Sequence, residues 1–122
     1  MRNEEWKKPN PARDKSYSFA LHIISLYKQL VENQKEFVLS KQLVRSGTSI
    51  GANVEEAIGA QSKREFAAKM SIAYKECRET HYWLRLLRDS GYLETQQSET
   101  ILNECDELCK IIGSIVRSTF SE

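Results

Sequence analysis

Apolar residues recur at spacings of three and four along four separate segments of this 122-residue chain. That spacing lines one face of an α-helix with apolar side chains, and such a face must be buried against another element. We predict helices over residues 16–33, 37–60, 63–90 and 96–120. Four amphipathic helices with short polar connections favour an all-α fold, an antiparallel up-down-up-down four-helix bundle.

The same spacing predicts which side chains face the core. In the first helix we expect the buried line to run through Ala20, Ile24, Tyr27 and Val31, with Leu21, Ile23 and Leu30 beside it. The expected core positions of the other three helices are Leu43, Gly47, Ile50, Val54, Ala57 and Gln61; Phe66, Met70, Ala73, Cys77, Thr80, Leu84 and Leu87; and Ile101, Cys105, Leu108, Ile112, Ile115 and Thr119.

Two of the helix boundaries carry specific signals. Ser62 and Glu65 are spaced as a capping box, in which the serine hydroxyl accepts from the Glu65 N–H and the carboxylate reaches back to the Ser62 N–H. Gly91 follows the third apolar segment, where a glycine in the left-handed conformation would end the helix.

Composition sets the domain organisation and excludes several classes. We assign residues 1–14, which are polar and contain two prolines, to a flexible arm and residues 15–122 to the bundle domain. No apolar segment has the length of a signal peptide core or a membrane span, so we expect a cytoplasmic protein with reduced thiols. The net charge of +1 predicts no general attraction to nucleic acid.

The segment RSGTSIGANVEEA, residues 45–57, places Gly47 and Gly51 inside the second helix. Each glycine costs a helix about 0.5–1 kcal/mol relative to alanine, so a close neighbour is expected. We favour a neighbouring subunit as part of that contact. The alternative is that small residues let helices of one chain pack tightly.

The third helix carries a second apolar stripe opposite its core face. It consists of Ala68, Ile72, Trp83 and Leu86, interrupted by two carboxylates, and such stripes mark partner contacts. We therefore expect a homo-oligomer whose interface uses the second and third helices, with Trp83 as an anchor. The predicted interface residues are Ser46, Ser49, Asn53, Ala68, Ile72, Glu76, Glu79, Trp83 and Leu86. Glu76 or Glu79 should be at least partly buried between helices and hydrogen-bonded to polar groups of the second helix, foremost Ser46, Ser49 or Asn53.

Charge is distributed unevenly along the chain. Residues 61–91 carry a net +3 and residues 92–122 a net −4. Basic groups with an interleaved aromatic ring suit a phosphate backbone with a stacked base. The candidate nucleic-acid-binding residues are Lys41, Arg45, Arg64, Lys75, Arg78, Tyr82 and Arg85. The alternative is a solvated face with intrahelical ion pairs such as Lys75 with Glu79.

The sequence offers little for catalysis. The run GTSIG, residues 47–51, lies inside a predicted helix, so it forms neither a strand-to-helix nucleophile elbow nor a phosphate-binding glycine loop. The sequence also has no Glu-x-x-His pair of the kind used by bundle carboxylate proteins. Cys77, Cys105 and Cys109 fall on core-facing positions, where free cysteine is a common apolar filler. We therefore expect no enzyme, no metal, no cofactor and no small-molecule substrate.

Two runs in the sequence are distinctive. LSKQLVRSGTSIGANVEEA, followed by AQSKREFAAKMSIAYKECRETHYWLRLL, resembles the bacterial four-helix-bundle family named for 23S rRNA intervening sequences, over about residues 15–120. The resemblance implies a homopentameric ring and kinship with the accessory protein of diversity-generating retroelements, a pentamer that binds nucleic acid. The family has no accepted catalytic residues. Two functions stay open: a nucleic-acid-binding accessory protein, and a protein-interaction scaffold with no nucleic-acid role.

Overall fold

The fold is described by a computed structural model that covers residues 9–121, and it consists of four helices. They are α1 (Pro11–Glu32), α2 (Leu39–Ile58), α3 (Lys63–Asp89) and α4 (Thr95–Ser121), with no strand between residues 9 and 121. The predicted all-α bundle is confirmed. α1 begins five residues before the predicted start, so residues 11–14, which we had assigned to the flexible arm, are helical, and residues 1–8 lie outside the described part.

Contacts between the helices establish their order and direction. α2 packs between α1 and α3, α4 packs against α3, and α1 and α4 form the most loosely packed neighbouring pair. Between α2 and α3, Arg45 pairs with Glu79. Glu56, which is later in α2, pairs with Lys69, which is earlier in α3. The same reversed order along α1 and α4 joins Lys15 to Glu107 and Gln29 to Gln97. α2 and α3 therefore run in opposite directions, as do α1 and α4.

The core confirms the predicted lines of α2, α3 and α4 almost completely. Of the positions predicted there, only Gln61 is exposed, and Phe66, Ile115 and Thr119 are half-buried. In α1 the prediction was displaced by one residue. The buried line runs through Phe19, Ile23, Leu26 and Leu30, with Ala12 and Ser16 above it. Both lines have helical spacing, so periodicity alone could not choose between them.

Gly47 and Gly51 are explained by α1 of the same chain. A Cβ atom on Gly47 would lie 2.8 Å from Cγ2 of Ile23, and one on Gly51 would lie 3.3 Å from Oγ of Ser16. Both glycines face a neighbouring helix within the chain, so the interpretation that favoured a neighbouring subunit is wrong for these two positions. Their small size lets α1 and α2 approach closely.

Both predicted helix signals are present. The Ser62 hydroxyl accepts from the Glu65 N–H at 3.0 Å, although the Glu65 carboxylate accepts from the N–H of Gln61 instead of Ser62. Gly91 has φ of +87°. The Gly91 N–H donates to the Arg88 carbonyl and the Tyr92 N–H to the Leu87 carbonyl, the two bonds of a Schellman motif.

A buried carboxylate caps α2, and the sequence analysis missed it. Glu36 lies in the α1–α2 connection, is 8% exposed, and accepts from the N–H groups of Val38, Leu39 and Ser40 at 3.2, 3.0 and 2.7 Å. Burial opposes ionisation of this carboxyl, but the three N–H groups outweigh it and lower the pKa of Glu36. Val38 at the N-cap position makes no side-chain cap bond, so Glu36 supplies the cap for that helix end.

Replacing Gly47 with alanine should destabilise the bundle by up to about 2 kcal/mol. The added methyl group gains about 1 kcal/mol of helix propensity. It also meets the branched Cβ region of Ile23, which cannot rotate away, and such overpacking costs about 1–3 kcal/mol. Gly59→Ala is the matched control, because its Cβ would lie 3.8 Å from the nearest atom. Urea unfolding at one protein concentration measures both, and equal stability of the two variants would contradict the proposed contact.

Replacing Glu36 with glutamine should lower the free energy of unfolding by about 1–2 kcal/mol at neutral pH, the usual value of an N-cap. Because folding lowers the pKa of Glu36, its contribution is complete above the unfolded pKa and disappears as the pH falls through the folded value. The difference between the parent protein and Glu36→Gln should therefore shrink below about pH 4. Glu55→Gln, at an exposed carboxylate, is the control. A constant difference across the acid range would rule out the charged cap.

Candidate nucleic-acid interface

The outward side of α3 carries the basic residues that the sequence predicted. Helical spacing puts Arg64, Lys75 and Tyr82 on one line and Arg78 and Arg85 on the adjacent line. All five side chains are exposed, and 47% of the Tyr82 surface is accessible. The structure thus brings four cationic side chains and one aromatic ring together on a single helix face.

Local contacts orient the aromatic part of this face. The guanidinium carbon of Arg85 lies 5.8 Å from the centre of the Tyr82 ring, within the range of a cation–π contact. Arg85 Nε also donates to Nδ1 of His81 at 3.0 Å. The Tyr82 ring meets Trp83 edge-on at 5.1 Å between ring centres. Tyr82 is therefore supported on one side by Arg85 and on the other by Trp83, while its remaining surface faces solvent.

The cations of this face have no carboxylate partner. Among the described residues, no ion pair is formed by Arg64, Lys75, Arg78 or Arg85. Arg85 contacts His81 and Tyr82 instead. Glu79, which we had considered as the partner of Lys75, is directed towards α2 instead. The Lys75–Glu79 pair expected for a solvated face is therefore not formed.

Arg45 and Lys41 lie one helical turn apart on α2. Only Lys41 is like the basic residues of α3 in having no carboxylate partner among the described residues. Lys41 is exposed. Arg45 is directed towards α3, where it pairs with Glu76 at 3.4 Å and with Glu79. Both carboxylates raise the pKa of Arg45, and the hydrogen bond to Glu79 is the largest cause. Two acidic groups therefore compensate the positive charge of Arg45.

Glu76 and Glu79 are partly buried and bonded to a polar group of α2 as predicted, but that group is Arg45 instead of Ser46, Ser49 or Asn53. The Glu76 side chain is 20% exposed and the Glu79 side chain 35%. Trp83 Nε1 donates to Glu79 at 2.9 Å, and this bond, followed by the contact with Arg45, lowers the pKa of Glu79. Arg45 was not expected as the partner of these two carboxylates, because its charge had placed it among the candidate nucleic-acid contacts.

The small polar residues of α2 are mostly satisfied within the chain. Ser46 is buried and accepts from the Thr80 hydroxyl at 2.9 Å, which joins α2 to α3. The Asn53 side-chain amide donates to the carbonyl and hydroxyl oxygens of Ser49. Because Ser46 has no exposed surface, it cannot contribute directly to a subunit contact, whereas Ser49 and Asn53 are half-buried.

The second stripe of α3 is partly open. Ala68 is exposed and Ile72 is 40% exposed, while Trp83 and Leu86 are half-buried, with Trp83 packed against the core of its own chain. Ile72 is therefore the large apolar side chain of this stripe that its own bundle leaves least covered.

A second apolar surface lies on α1 and was not predicted. Tyr17, Leu21 and Ile24 are 68%, 52% and 37% exposed, at spacings of four and three along one face. The signal was present in the sequence, but the one-residue displacement of the α1 core line placed Leu21 and Ile24 inside. α1 therefore presents an apolar stripe to solvent as well as one to the core.

Polar pairs join α4 to its two neighbours, α1 and α3. His22 pairs with Glu104 at 2.7 Å and Lys15 with Glu107 at 3.1 Å, both between α1 and α4. His81 of α3 pairs with Asp106 of α4 at 2.9 Å. No helix in residues 9–121 combines the length and hydropathy that a bilayer crossing needs.

The fold and these surfaces define a four-helix-bundle protein with a basic helix face, and comparison with known proteins places it in a family. Residues 9–114 match the family described as 23S rRNA-intervening sequence protein. The chain is also similar to a crystal structure from Bacteroides thetaiotaomicron of a protein with unknown function from the S23 ribosomal protein family. Identity is 52%, the TM-score is 0.85, and the match covers 86% of this chain and 97% of that one. A search of curated proteins gave no match.

The chain belongs to the 23S rRNA-intervening sequence protein family, as the sequence resemblance implied. Neither the family description nor that of the Bacteroides protein names a reaction.

Proposed function

We propose that this protein is a non-enzymatic bundle that binds single-stranded nucleic acid through the outward face of α3. The observation that carries the proposal is the group Arg64, Lys75 and Arg78, exposed and without carboxylate partners among the described residues, beside the half-exposed Tyr82 ring. The lysine and arginine groups suit phosphates and the ring suits a base. Lys41 adds an exposed cation on α2.

The pairing of Arg45 with two carboxylates also supports the proposal that the outward face of α3 binds nucleic acid. Glu76 and Glu79 lie on the same helix as the basic face, and both are held towards α2 by Arg45. A phosphate approaching Lys75 or Arg78 would therefore meet little nearby negative charge from α3 itself. Arg45 acts as a positioning residue in this arrangement instead of a direct phosphate ligand.

Assembly is the second part of the proposal. We infer that copies of the chain form a homo-oligomeric ring, a pentamer by family resemblance. A ring needs two different patches on each subunit. The exposed stripe of α3 around Ile72 and that of α1 around Leu21 supply two such patches on different helices. In a ring the basic face would be repeated, so that weak contacts to one long strand would add.

A protein-interaction scaffold is the second candidate function. Phe37 and Val38, in and beside the α1–α2 connection, are 57% and 72% exposed. Together with the α1 stripe they offer apolar surface to a protein partner. This function would leave the basic face of α3 without a role.

Neutralising the basic face should weaken nucleic-acid binding and its dependence on salt. For Lys75→Gln/Arg78→Gln, we expect the slope of log K against log salt to fall by about 0.7–1 per lost phosphate contact. The measurement is fluorescence anisotropy with a labelled mixed-sequence RNA strand at several salt concentrations. Lys28→Gln/Lys110→Gln removes the same charge from exposed positions on α1 and α4 and is the matched control.

Tyr82→Ala then separates stacking from charge. It should weaken binding to the single strand by about 1–3 kcal/mol and leave duplex DNA of the same length unaffected, because duplex bases are already stacked. If the parent protein shows no salt-dependent binding, or if the control double variant loses as much as the α3 double variant, the nucleic-acid function is refuted and the scaffold function is favoured.

Replacing Ile72 with glutamate should shift the protein from an oligomer towards the 14 kDa monomer while its helical content persists. Ile72 is a sharper probe than Trp83, since Trp83→Glu would also disturb the packing of its own bundle. Ser114→Glu adds the same charge to the exposed side of α4 and should leave the assembly intact. Light scattering at low micromolar concentration measures the mass, and a monomeric parent protein would exclude the ring.

A further inference from the structure

Three cysteine sulfur atoms converge between α3 and α4. Cys105 and Cys109 are four residues apart on one face of α4, and Cys77 approaches them from α3. The three Sγ atoms lie within 4.8 Å of one another, and those of Cys77 and Cys109 are only 2.8 Å apart. Within residues 9–121 this is the one group of three or more ligand-bearing side chains that comes together in this way.

The expectation that these cysteines are only core filler explains their burial but not their convergence. Cys77 and Cys105 are fully buried. Across the helix pair, each of these two sulfurs lies within 3.7 Å of the backbone carbonyl of the other residue, as weak S–H donors would. Apolar fillers would gain as much by packing against leucine, whereas these three sulfurs are directed at one another.

Cys109 connects the cluster to the surface. It is half-buried and lines an open pocket of about 240 Å³ together with Arg78, His81, Arg85 and Asp106. The guanidinium groups of Arg78 and Arg85 therefore line the same opening as the one sulfur of the cluster that solvent can reach.

We propose that Cys77, Cys105 and Cys109 form a binding site for one thiophilic cation, Zn²⁺ or Cu⁺. A donor set made only of sulfur selects such soft ions over Mg²⁺ or Ca²⁺. Cu⁺ would be satisfied by three thiolates, whereas Zn²⁺ would take a water as fourth ligand from the pocket beside Cys109. A disulfide would use only two of the sulfurs and leave the third without a reason to converge.

Binding of the ion would link two helices and would consume no oxidant. Each S–H ligand gives up its proton to solvent as its sulfur bonds to the cation, so affinity should rise with pH. Arg78 and Arg85 at the pocket offset the excess negative charge of three thiolates. Because α3 and α4 each contribute a ligand, an ion that binds only the folded chain also raises the unfolding temperature.

The test is a metal titration of the full-length protein, reduced with a phosphine under anaerobic conditions. Zn²⁺ is titrated in competition with a chromophoric chelator and Cu⁺ in competition with bicinchoninate, which distinguishes the two ions. We expect one ion per chain and a higher thermal midpoint with the preferred ion. Cys109→Ser should weaken binding by more than the roughly 10–100-fold typical of an outer-shell change, and helical content by circular dichroism should be unchanged.

Asp106→Asn is the matched control, since it alters the pocket beside Cys109 without removing a sulfur. It should bind within about tenfold of the parent protein, at or below the outer-shell range. Three results would overturn the proposal: no binding of either ion by the reduced parent protein, equal binding by Cys109→Ser, or loss of binding in Asp106→Asn alone. The last result would place the ion on the Asp106–His81 pair.

Discussion

The close approach of α1 and α2 is the contact that the rest of the bundle depends on. Gly47 has no side chain, and Ile23 of α1 occupies the space that a Cβ would need. With α1 held against one side of α2, the opposite side is free to pack on α3, where Ser46 and Thr80 bond inside the core. α2 therefore lies between two helices, and the small residues on both its flanks pack against helices of the same chain.

Arg45 determines how charge is distributed on the outside. By binding Glu76 and Glu79 it holds two carboxylates in the groove between α2 and α3. The other flank of α3 keeps Lys75 and Arg78 without such partners among residues 9–121. A chain with a net charge of only +1 thus presents a locally basic surface, which is the physical basis of the proposed nucleic-acid interface.

Periodicity predicted the helices and most of the core because burial of one helix face dominates the energetics of a small bundle. It failed in α1, where Ile23 and Ile24 are neighbours and the helix is apolar on two sides, so that two buried lines were equally consistent. The Glu36 cap was missed because a carboxylate folding back over three N–H groups leaves no periodic signal. Arg45 was assigned by its charge alone, and its partners are 31 and 34 residues away along the chain. The convergence of Cys77 with Cys105 and Cys109 depends on how α3 and α4 are aligned, which spacing within one helix does not determine.

The seam between α1 and α4 has a kinetic consequence. It is the most loosely packed of the helix pairs, and its contacts include polar pairs such as Gln29 with Gln97. The closest packing therefore lies between helices that follow one another directly in the chain. Few contacts join α1 to α4, so little of the stability depends on bringing the two ends of the chain together. Topologies dominated by such local contacts fold in about microseconds to milliseconds, so a newly made chain would spend little time with its apolar faces exposed to other chains.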